Sequence, residues 1–151
     1  MGATDTPESL TGRVNATFRR RLLLGDSLAV GTAQFTNARL ARPCTVVAAE
    51  GATAKQILAW RKPARRFGVT VIAIGSNDMP DGLLSERLIR IRSSISSRRV
   101  IWILPYSRPR SYVVSSVAVS FRDETLDMLR FPSHDGLHPK RYQDVATSLL
   151  R

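Results

Sequence analysis

The chain is poor in the residues from which metal clusters and disulfide frameworks are built. Its 151 residues include one cysteine, Cys44, and two histidines. A single thiol closes no internal disulfide and supports no thiolate metal cluster. Cys44 precedes the apolar run "TVVAA", and a buried strand position is its simplest role. Long apolar runs are missing as well. None nears the ~20 residues that a membrane-spanning helix needs. The opening "MGATDTPESLTGRVNATF" holds no apolar core of a secretory signal. The expectation is a cytoplasmic protein, or one delivered by a non-classical route such as a phage particle. Gly2 and Thr6 fit a myristoylation pattern and Asn15-Ala16-Thr17 a glycosylation sequon, but both patterns are short and stand without supporting context. There is no internal repeat and no low-complexity linker.

Acidic residues are also scarce. Against 23 lysines and arginines stand 12 aspartates and glutamates, a formal net charge of +11. Nearly all the cations are arginine, and they are scattered along the chain instead of being gathered in a tail. Such a field attracts polyanions: nucleic acid, acidic glycans or anionic membrane surfaces. An ordinary solvated basic surface gives the same composition, and both readings stand at this point.

Apolar residues make up 43% of the chain and charged residues 23%, as in a soluble globular protein. The length suits one core. Residues 1–17 read as a polar, flexible lead-in and residues 18–151 as one domain. Within it a βα alternation is predicted. Strands are expected at 20–26, 44–50, 69–75 and 99–106, with a short last strand in "MLRFP". Helices are expected at 27–41, at 53–67 with a break near Pro63, at 82–97, within 115–129 and at 139–151. In the last helix, Tyr142, Val145, Leu149 and Leu150 share an apolar face. Continuous apolar strands separated by helices predict a parallel sheet of about five strands covered on both faces.

In such a sheet, ligands bind beyond the carboxyl ends of the strands. The reactive residues of this chain fall there. Gly25-Asp26-Ser27 follows the first strand, Gly51 the second and Gly75-Ser76-Asn77-Asp78 the third. Tyr106 to Arg110 follow the fourth, and "SHDGLHP" the last. Serine is a weak nucleophile at neutral pH. It needs a base for its proton and fixed donors for the developing oxyanion. His138 can be that base, oriented by Asp135 three residues earlier. Asn77 offers an amide donor, Gly51 a closely approaching backbone N–H, and Ser27 its own N–H at a helix start. Each signal has an ordinary structural explanation as a turn, a cap or a surface loop. Their order and common placement are more specific than any one of them.

These segments resemble the SGNH hydrolase superfamily, the GDSL esterases and lipases, whose four sequence blocks recur here in order. "GDSL" (25–28) resembles the nucleophile block and Gly51 in "AAEGATA" the oxyanion glycine block. "IGSND" (74–78) resembles the GxND block and "DGLHP" (135–139) the DxxH block. The resemblance spans residues 20–151. It implies a flavodoxin-like three-layer α/β/α sandwich and a serine ester hydrolase working through an acyl-enzyme. Ser27, Asp135 and His138 would then be catalytic, and Ser27, Gly51 and Asn77 the oxyanion donors, with no metal or organic cofactor. His134 also lies beside Asp135, but only His138 has the three-residue offset and the following proline.

The 29 positions between 106 and 135 leave little room for a lid, so an open site for short acyl groups, acetyl above all, is expected. Arg108 and Arg110 are expected on the same rim as Ser27, where they would favour an anionic glycan or cell-wall polymer. The competing function is a catalytically silent basic module that binds nucleic acid or serves a phage assembly.

Overall fold

The computed structural model describes residues 20–39 and 43–150. The amino-terminal lead-in, with the Gly2 and Asn15 patterns, lies outside the described residues. Five strands and five α-helices alternate: β1 (Arg21–Gly25), α1 (Ser27–Arg39), β2 (Thr45–Ala48), α2 (Ala54–Ala59), β3 (Phe67–Ala73), α3 (Gly82–Ser93), β4 (Ser97–Leu104), α4 (Arg108–Ser120), β5 (Glu124–Asp127) and α5 (Tyr142–Leu149). A 3₁₀ turn, Met128–Arg130, follows β5. The strands form one parallel sheet in the order β2-β1-β3-β4-β5, the flavodoxin-like order.

The continuous apolar strands are explained by their two covered faces. Leu22, Leu24, Ile72 and Trp102 point into a core closed by Ile57 of α2, Leu84, Leu88 and Ile91 of α3, and Val114 and Val117 of α4. Leu23, Val71, Ile101 and Ile103 point the other way, against Leu28, Ala29 and Ala33 of α1 and Val145 of α5. The period-two alternation of side chains thus serves two cores at once.

Three predicted elements are corrected. The fourth helix starts at Arg108, not in the 115–129 window. Ser107 is its cap, accepting the Arg110 N–H, and Pro109 occupies the first turn, where its missing N–H costs nothing. The arginines and proline of "SRPRS" resemble a rim loop, although Ser followed by Pro within two residues is also a helix-entry signal. The last strand is "ETLD", not "MLRFP". An edge strand covered on one side needs few apolar residues, and of its four only Leu126 is buried. The helix expected over 53–67 is a short one: a capping box between Thr53 and Gln56 opens it and Trp60, in an extended conformation, closes it.

Candidate active site

Gly25 ends β1 where the chain passes against the end of β3. A Cβ there would stand 2.0 Å from the Ala73 carbonyl oxygen, so no other residue fits. The next N–H, of Asp26, donates to that same carbonyl at 2.8 Å. The Asp26 carboxylate turns back and accepts the Leu28 N–H at 3.0 Å, which caps α1. Ser27 is thereby the first residue of α1, at the carboxyl end of the strand between β2 and β3. A backbone N–H in a first helical turn has no partner within its helix and carries the positive end of the helix dipole.

Asp26 itself is completely buried, and its Oδ2 has no hydrogen-bond partner. Burial pushes its carboxyl up to about 7 against the opposing Leu28 and Ser76 backbone N–H groups, and repulsion from Asp78 adds to the rise.

The last loop is organised around Asp135. Its Oδ1 accepts the N–H groups of Leu137 and His138, both at 2.8 Å, and the Ser133 hydroxyl, which donates to the His138 carbonyl at 2.5 Å, lies 3.2 Å from Oδ1. The Ser133 hydroxyl oxygen in turn accepts the Gly136 N–H at 2.9 Å. Gly136, at φ 73, takes the left-handed conformation that the turn requires. Oδ2 is left for the ring of His138, whose Nδ1 lies 2.7 Å away. The bond to His138 and the two backbone bonds hold the Asp135 carboxyl well below the usual carboxylate range. It is therefore an acceptor, which makes Nδ1 the protonated ring nitrogen. Nε2 is then an acceptor for the Ser27 hydroxyl, 2.9 Å from it. Ser27, His138 and Asp135 form one hydrogen-bonded line. His134 is exposed and takes no place in it.

The two loops that face Ser27 are tied to one another. The Asp78 carboxylate accepts the Ala54 N–H at 2.9 and 3.1 Å, so the turn after β3 caps α2 and fixes the loop that carries Gly51. Asn77 Nδ2 donates to the Ala52 carbonyl at 3.1 Å. One amide hydrogen is engaged there, and the geometry of an NH₂ leaves the second directed elsewhere. Gly51 sits at φ 71 with nothing near its Cβ position. Ser27, Gly51, Asn77 and His138 all line one cleft of about 570 Å³, together with Val30, Gly31, Gln34, Glu50 and Tyr142.

The sequence pattern shows Tyr142 only as part of an apolar helix face. Its ring lies against Gly31, where a Cβ would come within 2.3 Å of it, and its hydroxyl reaches the Ser27 carbonyl at 3.4 Å. Burial, with the nearby charges of Asp26 and Asp135, pushes the phenol up to about 12, so it stays a donor. A glycine inside a predicted helix is the available signal. Glu50, exposed beside Gly51, is another lining residue that sequence reasoning passes over, with Val30 and Gln34.

Arg108 and Arg110 do follow β4, but neither lines the cleft. The Arg108 guanidinium grips Asp127 with two bonds of 2.9 Å and the Pro105 and Tyr106 carbonyls with two more. It staples the end of β4 to the end of β5. Arg110 Nε donates to the Asp78 carbonyl at 2.6 Å. Cys44 is buried ahead of β2, its N–H bound to Asn37. No group of three or more potential metal ligands occurs among the described residues, and no described helix is long and apolar enough to cross a membrane.

This flavodoxin-like α/β/α architecture is shared with solved structures at low sequence identity. The chain superposes on the C-terminal catalytic domain of peptidoglycan O-acetyltransferase A from Streptococcus pneumoniae, solved with a methylsulfonyl adduct, with a TM-score of 0.57 at 15% identity over 87% of this chain and 90% of that one. It superposes on the native aryl esterase of M. smegmatis with a TM-score of 0.60 at 14% identity over 86% of this chain and 95% of that one. No protein-family model and no curated protein sequence matches it.

Proposed function

We propose that the chain is a serine ester hydrolase that works through an acyl-enzyme on short acyl esters, acetyl above all. The observation that carries this reading is the hydrogen-bonded line from Ser27 Oγ through His138 to Asp135, standing at the wall of an open cleft. In this mechanism Ser27 Oγ attacks the ester carbonyl while its proton passes to His138 Nε2. The imidazolium is held by the Asp135 carboxylate. The oxyanion sits between the N–H groups of Ser27 and Gly51 and the free amide hydrogen of Asn77. His138 returns the proton to the departing alcohol, then draws one from the water that attacks the acyl-serine. Each such preorganised donor is worth roughly 3–4 kcal/mol of barrier.

Both structural neighbours are named for acyl chemistry, one as an O-acetyltransferase and one as an aryl esterase, which supports acyl transfer as the reaction class. The charges of the cleft favour a neutral ester. Its acidic lining residue is Glu50, and the Arg108 guanidinium is already engaged by Asp127.

A fluorophosphonate probe should label the wild-type protein and leave Ser27→Ala unlabelled. Nitrophenyl acetate should be hydrolysed with higher kcat/KM than the decanoate. Labelling that survives Ser27→Ala would refute the nucleophile assignment, and a preference for the decanoate would refute the short-acyl assignment.

A further inference from the structure

The positive charge is not spread evenly over the fold. In a parallel sheet with returning helices, every helix-to-strand connection lies at the amino ends of the strands. That edge carries Arg20 ahead of β1, Arg61, Arg65 and Arg66 between α2 and β3, Arg90 in the last turn of α3, and Arg122 between α4 and β5. All six are exposed, and none forms an ion pair with a described carboxylate.

The two acids of the same edge are already taken. Asp123 receives two bonds from Arg92, at 2.6 and 3.0 Å, and one from the Trp102 indole. Glu124 is held by both arms of Arg99. Most of the other described carboxylates collect at the opposite end, where Asp26, Glu50, Asp78, Asp81, Asp127 and Asp135 surround or support the cleft. At that end the acids are met by about as many bases, Lys55, Arg108, Arg110, Arg130, Lys140 and Arg141 among them, so the basic end is the opposite one, with its unspent arginines.

From this distribution we infer that the amino-terminal edge of the sheet is a docking surface for duplex nucleic acid, read through its phosphates. Three features favour that partner. The first is charge density. Five strands at ~4.8 Å spacing make an edge of about 20 Å, along which a duplex presents roughly twelve phosphates. About half of these face a protein on one side, which matches six guanidinium groups. A polymer with widely spaced charges would leave most of them unmatched. The second is chemistry, since all six are arginines, whose planar fork fits phosphate oxygens in pairs. The third is the lack of a stacking platform. Trp60 and Phe121, at this edge, are half-buried and packed against the core, and the exposed Tyr112 lies near the start of α4 at the other end, whereas single strands are held by stacked aromatics. The inference does not depend on the ester reading, because the two surfaces occupy opposite ends of the sheet.

Fluorescence anisotropy with a labelled 20-base-pair duplex tests it. Six phosphate contacts predict that log Kd changes with log salt with a slope of magnitude about 5. The variant Arg61→Gln/Arg65→Gln/Arg66→Gln should lower that slope by about 3 and weaken binding at least tenfold in low salt. Arg90→Gln/Arg122→Gln, on different elements, should lower it by about 2. A control with the same net charge as the triple variant, Lys55→Gln/Arg130→Gln/Lys140→Gln, should bind as the wild type does. Circular dichroism melts of each variant exclude unfolding as the cause. Equal losses in the triple variant and the control would overturn the proposal, since net charge alone would then explain binding. A slope of magnitude below 1 would overturn it too, as would tighter retention on phosphatidylserine vesicles than on the duplex.

Discussion

Asp26 is a carboxyl group that the fold would hold more cheaply without its charge, and replacing it by asparagine measures how much. Asp26 is fully buried, with its carboxyl pushed up to about 7 from an ordinary 3.8. Between those values the native state binds a proton that the unfolded chain has released. Stability therefore falls as pH rises through this window and levels off above it. Every tenfold gain in proton affinity on folding corresponds to about 1.4 kcal/mol, so relative to a side chain that never ionises Asp26 costs about 4 kcal/mol at pH 8, where it is charged, and between 1 and 2 kcal/mol at pH 5, where only the unfolded chain has released the proton.

The asparagine of Asp26→Asn would carry no charge at either pH. Its Oδ1 would keep the Leu28 N–H, while its NH₂ would replace the partnerless Oδ2 at a cost of roughly 1–3 kcal/mol. That cost does not depend on pH and cancels when two pH values are compared. The stability of Asp26→Asn relative to wild type should therefore improve by about 3 kcal/mol between pH 5 and pH 8. Urea unfolding followed by the fluorescence of buried Trp102 reads this directly. With a slope of about 1.5 kcal/mol per molar urea, the midpoint difference should move by about 2 M. A difference that is the same at both pH values would show that Asp26 is already charged or already solvated at pH 5, and the reasoning would fail.

Two other outcomes are expected. Asn77→Ala removes a proposed oxyanion donor and should lower kcat on nitrophenyl acetate by about 10²–10³-fold with little change in KM; a changed KM at constant kcat would assign Asn77 to ground-state binding. Gly31→Ala drives a methyl group into the Tyr142 ring and should cost roughly 1–3 kcal/mol of overpacking, against a gain of about 1 kcal/mol in helix propensity. A rise in Tm for this variant would show that the ring moves aside freely.

The fold is legible in the sequence because a two-faced parallel sheet leaves a mark that survives in a single chain. "RLLLG" and "VTVIAIG" are apolar at nearly every position since successive side chains enter different cores. The last strand escapes because an edge needs only Leu126 on the inside. The fourth helix is expected too late in the chain because its entry carries arginines whose ion pairs are invisible in one dimension. Ser27, Asp135 and His138 can be named because chemistry restricts their types and the sheet restricts their places. Their contact distances follow from the Ser133 and Gly136 turn, which no pattern encodes. Tyr142 is missed because its partner is Gly31, 111 residues away, and an absent side chain gives no apolar signal. Arg108 and Arg110 are assigned by position alone; their carbonyl and carboxylate partners come from strand and turn ends that only the assembled sheet brings near.

The bond between Ser27 and His138 joins residues 111 positions apart. At a synthesis rate of about 5–20 residues per second, the serine precedes its histidine by roughly 6 to 22 s. During that interval the hydroxyl has no base within reach and is as inert as any surface serine. On the proposed mechanism, reactivity thus arrives last, after β1, β3 and the closing loop are all in place. A reagent that acylates only the paired serine would therefore count finished molecules and pass over every incomplete one.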